Sequence, residues 1–308
     1  MSCGVELTGL NGVNPVAFLA ALGTLRALSL RYPPRFRFRM GWVAADFWHP
    51  VLASDEKIDR DLVLDGLMEQ LKTLQDGILP PIDDLKVGQE TFRGYAIHAF
   101  EKISVASRTE ADFVAALGSD ACVVKEGVIQ DTALRTMSGA GHQHFLANMR
   151  NIVKATDKKH LYSALFEKWR YDDPVEKLTM RWDPIDDQRY ALRSNNPSGD
   201  PSRKTRGSVL GANRLAIEGI PLLPVMPVGA KARTTGFRGE KSADTYLTWP
   251  IWRPCVDLDV VRAVLSLEEL QEDSPPREEL MRRGIIEVYR SQRITIGKFR
   301  NFTMGQPV

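Results

Sequence analysis

Two imidazoles sit on a small-residue turn in Gly139-Ala140-Gly141-His142-Gln143-His144, and no other residues of this sequence are better suited to acid–base work. Histidine titrates near neutrality, so a pair on a pliant turn can shuttle a proton or ligate a metal. Either chemistry needs a third group, a nucleophile or a further ligand, and the spacing names none. Packing at a helix start, or anion contact by its free amides, accounts for the same residues. A second cluster, Asp183, Asp186 and Asp187 in RWDPIDDQRY, offers the oxygens that hard cations take. The flanking Arg181, Arg189 and Arg193 favour an internally paired turn instead. G-x-x-x-x-G-K-[ST], G-x-G-x-x-G, G-x-S-x-G and H-E-x-x-H are all absent, which lowers the odds of a familiar NTPase, dinucleotide enzyme, hydrolase or metalloprotease. No cofactor and no metal is expected, and an enzyme is the less favoured reading.

The other chemistry is electrostatic. A net charge of +2 conceals a split: residues 1–134 hold 13 Lys and Arg against 18 Asp and Glu, or −5, while the remainder holds 28 against 21, or +7. Arg189 to Lys241 carries much of the positive field, and Ser194 to Ser208 (SNNPSGDPSRKTRGS) is too rich in Asn, Pro, Ser and Gly to be a regular element. Arg203, Lys204 and Arg206 in that loop are candidate phosphate clamps, with Arg193, Arg214, Arg233 and Arg238 extending the track. Tyr190, Phe237, Tyr289, Phe299 and Phe302 interleave as candidate stacking partners for single-stranded nucleic acid. The loop reads equally as a solvated stretch of a nearly neutral chain. Arg35, Arg37 and Arg39 alternate with Phe36, Phe38 and Met40, the pattern of a strand with one cationic face. At a rise of about 3.3 Å per residue those guanidinium groups lie about 7 Å apart, near backbone phosphate spacing, although acids of the first half can pair them instead.

These residues need elements to hold them. Asn14-Pro15 caps and starts a helix reaching about Arg31, stopped by Pro33-Pro34. Apolar periodicity predicts helices over Asp55–Leu74, Glu110–Leu117, His142–Ala155, Leu161–Trp169, Ala212–Glu218, Asp257–Leu265 and Pro276–Arg283. Strands are predicted over Ala121–Ile129, Lys177–Trp182, Pro221–Val228, Arg233–Phe237 and Tyr246–Trp252. Ile285–Arg290 and Arg293–Lys298, split at Ser291-Gln292, form a closing C-terminal β-hairpin. Mixed helices and mainly antiparallel strands without βαβ alternation indicate an α+β fold. A boundary near residue 135 divides an acidic region, 1–135, from a C-terminal region, 136–308, unless the two form one continuous domain.

At 308 residues, 43% hydrophobic and 26% charged, the chain has ordinary globular composition, not that of a disordered or collagenous one. Cys3, Cys122 and Cys255 are odd in number and far apart, which suits a reducing, cytoplasmic setting. The opening has no basic stretch before its apolar run, and Arg26 interrupts that run, so neither a secretory signal nor a membrane span is expected.

The opening LTGLNGVNPVAFLAALGTLRAL, with its Leu22-Gly23-Thr24-Leu25-Arg26 signature, resembles that of proteins from type I-G (formerly type I-U) CRISPR systems. RGSVLGANRLAIEGIPLLPVMPVG, TYLTWPIW and RSQRITIGKFRNF are similar to C-terminal segments of the same group. The resemblance implies a component of a CRISPR interference module, akin to the Cascade large subunit or to the extension family associated with its helicase-nuclease. Guide RNA or target DNA and other effector subunits would be its partners, and the resemblance carries no catalytic residue onto this chain. Two rival readings remain: a metal-independent nuclease or phosphodiesterase using His142 and His144, and an accessory subunit that docks on protein and binds no nucleic acid.

Overall fold

The computed structural model describes residues 4–103, 108–124, 126–137, 144–185, 207–239, 244–296 and 299–308, and for residues 75, 76, 295, 296 and 299 the backbone alone. The elements run β1 (Val5–Glu6), α1 (Pro15–Arg31), β2 (Arg39–Ala44), β3 (Trp48–Ala53), α2 (Arg60–Leu71), α3 (Gln89–Glu101) and α4 (Thr109–Leu117). There follow β4 (Gly118–Val123), β5 (Ile129–Asp131), α5 (Phe145–Ala155), α6 (Lys158–Phe166), α7 (Leu210–Gly219), β6 (Val225–Val228), β7 (Lys231–Thr234), β8 (Phe237–Arg238) and β9 (Tyr246–Trp252). The chain closes with β10 (Val256–Asp257), α8 (Leu258–Leu265), α9 (Arg277–Arg282), β11 (Ile285–Ile296), β12 (Phe299–Phe302) and β13 (Gln306–Pro307).

The fold is α+β, and every strand pairing among the described residues is antiparallel. One sheet has the order β1-β3-β2-β10, a second β12-β11-β9-β8 with β13 also on β11, and β4-β5 and β6-β7 are separate hairpins. The central element is α1. Asn14 accepts from the Val16 amide, Pro15 opens the helix, and every residue from Pro15 to Leu28 is buried. A helix buried all round needs small residues where a neighbour crosses. Here α1 packs along α7, and a Cβ at Gly23 would run into the Leu215 carbonyl oxygen, as one at Gly219 would into that of Leu19. On another side Phe18 stacks on Trp42 and Trp249, with ring centroids 5.9 and 5.6 Å away. Trp249 and Trp252 are both buried, and their indole N–H groups donate to Gly12 O and Met40 O at 2.9 and 2.7 Å. This satisfies the polar edge that a buried indole must place. The largest apolar cluster draws on residues either side of 135, and β10 pairs with β2 across the same divide.

Several elements differ from their sequence patterns. Pro221–Val228 opens within a 3₁₀ turn, Ile220–Leu222, and is strand only from Val225, and Arg233–Phe237 is divided by a turn between β7 and β8. Arg35-Phe36-Arg37-Phe38 is not a strand: Pro34–Phe36 form a 3₁₀ turn, Arg37 is left-handed at φ 41°, and extended chain begins only at Arg39. Lys177–Trp182 is not a strand either. Lys177 and Arg181 have φ of 60° and 58°, and the Met180 amide goes to Asn213 Oδ1 at 2.9 Å, so a side chain replaces the ladder. The β-branched stretch 121–129 folds back on itself at Gly127 (φ 70°), giving β4 and β5. The C-terminal hairpin is present, but β11 runs unbroken through Ser291-Gln292, which pair with Leu247 and Tyr246 of β9; Ile296 stands opposite Phe299.

Candidate nucleic-acid interface

The antiparallel register of β11 and β12 sets Arg293 opposite Phe302 and Thr295 opposite Arg300, so Arg293 and Arg300 are diagonal neighbours on one face. Arg135 joins them from the segment after β5. That segment is tied down on every side: Ala133 N donates to Thr234 Oγ1 at 2.8 Å, Trp182 Nε1 to Leu134 O at 2.8 Å, and Thr136 Oγ1 to Met180 O at 2.7 Å. Within β5, the Gln130 side chain accepts from Ala232 N at 3.0 Å and donates to Ala230 O at 3.1 Å, fastening β5 to the β6–β7 hairpin as a strand's amide would.

The charges are unevenly matched. Arg135 Nε lies 2.8 Å from Asp131 Oδ2, and its Nη1 3.4 Å from Asp84 Oδ1. Arg293 spends its Nη1 and Nη2 on neutral acceptors, Ala133 O at 2.6 Å and Thr245 Oγ1 at 3.3 Å, and its Nε has no partner among the described residues. Among the described residues Arg300 makes one long contact, Nη1 to Arg135 O at 3.5 Å. Three guanidinium groups thus share two carboxylates, and Arg293 and Arg300 pair with neither. Burial, then the neighbouring Arg300, lower Arg293 to about 10; burial and Arg135 lower Arg300. Like charges gathered in a half-buried place are costly, and an anion between them offsets that cost. His144 stands at the N-cap of α5 with Nδ1 3.9 Å from Asp84 Oδ2 and no hydrogen bond to Nδ1 among the described residues.

Several candidates from the sequence have other employment. Arg214 is buried in the core, donating to Leu71 O at 2.9 Å and pairing with Glu218 at 3.0 Å, so it is not available to a phosphate. Phe237, Tyr289 and Phe302 are buried, Phe237 and Phe302 against one another, and offer no stacking face to a base. Arg238 stacks over Tyr246 and holds the turn at Gln271–Asp273 through Gln271 O at 2.8 Å and Asp273 at 2.6 Å. Arg35, Arg37 and Arg39 face three different acids, Glu56, Asp257 and Asp55, rather than forming one cationic row. Arg233 is exposed on β7 and makes no ion pair among the described residues. Asp183 is buried, accepting from Asn14 Nδ2 at 3.3 Å and Ile185 N at 2.9 Å. Among the described residues no group of His, Cys, Asp and Glu is placed to hold a metal. His142, Asp186, Asp187, Arg189, Tyr190, Arg193, Arg203, Lys204 and Arg206 lie outside the described residues, as does the basic loop up to residue 206.

Arg135, Arg293 and Arg300 are the residues that sequence reasoning missed. The last two lie inside RSQRITIGKFRNF, and a turn placed at Ser291-Gln292 put them in the wrong register. Among the described residues no helix is long and apolar enough to cross a membrane. No family model matches the chain, and no curated protein or solved structure matches it.

Proposed function

We propose that this protein is a nucleic-acid-contacting component of a type I CRISPR interference module, without catalysis of its own, that meets guide RNA or target DNA through phosphates. The observation that carries the reading is the pair Arg293 and Arg300, cations held side by side with no carboxylate partner among the described residues. The sequence resemblance and the positive balance of the second half point the same way. In such modules base pairing reads sequence while protein grips backbone and shape, a division of labour that needs guanidinium groups and no nucleophile. A localisation in the cytoplasm goes with this reading.

The test is fluorescence-anisotropy titration with labelled single-stranded RNA, single-stranded DNA and duplex DNA at two salt concentrations. Arg300→Gln is expected to weaken binding for every sequence and to flatten the salt dependence by about one unit of slope, and Arg293→Gln/Arg300→Gln by about two. Unchanged affinity and slope in the double variant would overturn the assignment. The nuclease reading has one observation in its favour: His144 Nδ1 lies 3.9 Å from Asp84 Oδ2, an imidazole beside a carboxylate. Turnover of the labelled strand, lost in His144→Gln, would bring that reading forward.

A further inference from the structure

We propose that Asp131 sets the affinity of the arginine site: it is a resident carboxylate, ion-paired with a guanidinium that a phosphate would otherwise engage, and so competes with the ligand. The inference rests on the nucleic-acid reading above and assigns that site its internal regulator.

Geometry puts Asp131 in this role. It ends β5, opposite Gly118 of β4, and its side chain is 14% exposed and that of Arg135 16%, so both members of the pair reach solvent. Its Oδ2 lies 2.8 Å from Arg135 Nε, while Arg293 on β11 and Arg300 on β12 feel its charge without touching it. Among the described residues two other titratable groups face the cluster: Asp84, which takes Arg135 Nη1 at 3.4 Å, and His144, the N-cap of α5, 3.9 Å from Asp84. With both carboxylates ionised the site has a surplus of one positive charge, and neutralising Asp131 doubles it. A phosphate can engage Arg135 fully only when Asp131 releases it, so ligand binding and Asp131 ionisation oppose one another.

The sign of the pH dependence follows. Burial is the largest influence on Asp131 and pushes its carboxyl above the ordinary carboxylate range, opposed by Arg135 and Arg300 and reinforced by Asp84. A proton taken up there as pH falls removes the competitor, so affinity for a polyanion rises toward acid.

Binding of labelled poly-U RNA to the full chain, followed by anisotropy from neutral to mildly acidic pH, tests this. The wild type is expected to tighten as pH falls. Asp131→Asn, of nearly the same shape, is expected to bind roughly three- to tenfold tighter at neutral pH, with a salt slope steeper by about one and the pH dependence largely gone. Should the variant fold poorly, the wild-type pH series is set beside those of His144→Gln and Asp84→Asn. A dependence that persists in both supports Asp131, and one that vanishes in either makes that group the sensor and overturns the inference. Asp131→Asn binding no tighter than wild type, while Arg300→Gln weakens binding, leaves the arginine site standing and removes Asp131 from it. No binding by any form at any pH removes the nucleic-acid reading itself.

Discussion

Glu218→Gln is expected to lower the free energy of unfolding by about 3–5 kcal/mol, read from urea denaturation followed by tryptophan fluorescence. The magnitude comes from what the substitution leaves behind. Arg26 Nη1 lies 3.0 Å from Glu218 Oε2, and Arg214 Nη2 3.0 Å from Glu218 Oε1, with all three side chains at most 1% exposed. One carboxylate therefore serves two buried guanidinium groups. Burial lowers the pKa of both arginines, and the charge of Glu218 is the largest influence opposing it. Among the described residues Arg26 has one further acid, the distant Asp112 at 3.9 Å, and the ring of Phe113 at 5.3 Å beneath its guanidinium. An amide at position 218 keeps the shape and removes the charge, stranding two cations in the core. If the charges are a burden that only pairing relieves, replacing all three groups by apolar ones, Arg26→Met/Arg214→Met/Glu218→Leu, should recover most of the loss. A triple variant no more stable than Glu218→Gln alone would show that the network contributes through something other than mutual neutralisation.

That network also shows what a single chain discloses. Arg26 was visible in the sequence as a charge interrupting an apolar run, and Arg214 as one more cation in a basic half. Nothing local distinguishes a core arginine from a surface one, because the deciding partner is 192 residues away from Arg26. The start of α1 was legible in full, since Asn14 and Pro15 act through bonds to their nearest neighbours. The same holds for β9 and for the α+β class. What failed were patterns whose meaning depends on distant contacts. Alternation in RFRFRM indicates a strand only if a ladder exists, and Pro34 with a left-handed Arg37 turns the chain aside before one can form. The arginine site was hidden by a turn set at Ser291-Gln292, because strand register decides which residues share a face and a displaced turn reassigns all of them. Once Ile296 faces Phe299, Arg293 and Arg300 fall together.

Two mid-helix glycines make the dependence on distant contacts measurable. Gly23→Ala is expected to destabilise by about 1–3 kcal/mol, toward the upper end of the overpacking range, since the obstruction is backbone. The added methyl would meet the Leu215 carbonyl and approach Gly219 N at 2.9 Å, neither of which can rotate away, so α1 and α7 must part. Parting them also stretches the bond between Arg26 and Glu218, which spans the same pair of helices. Gly94→Ala in α3 is expected to act in the opposite direction, gaining up to about 1 kcal/mol. A Cβ there meets nothing within 4 Å, and alanine loses less backbone entropy than glycine on entering a helix. The two substitutions are chemically identical and both lie inside helices, so helix propensity alone predicts the same sign for each. Paired urea titrations in one buffer would show opposite displacements of the midpoint. Equal gains at both positions would mean that α1 and α7 do not cross as closely at Gly23 as the structure has them.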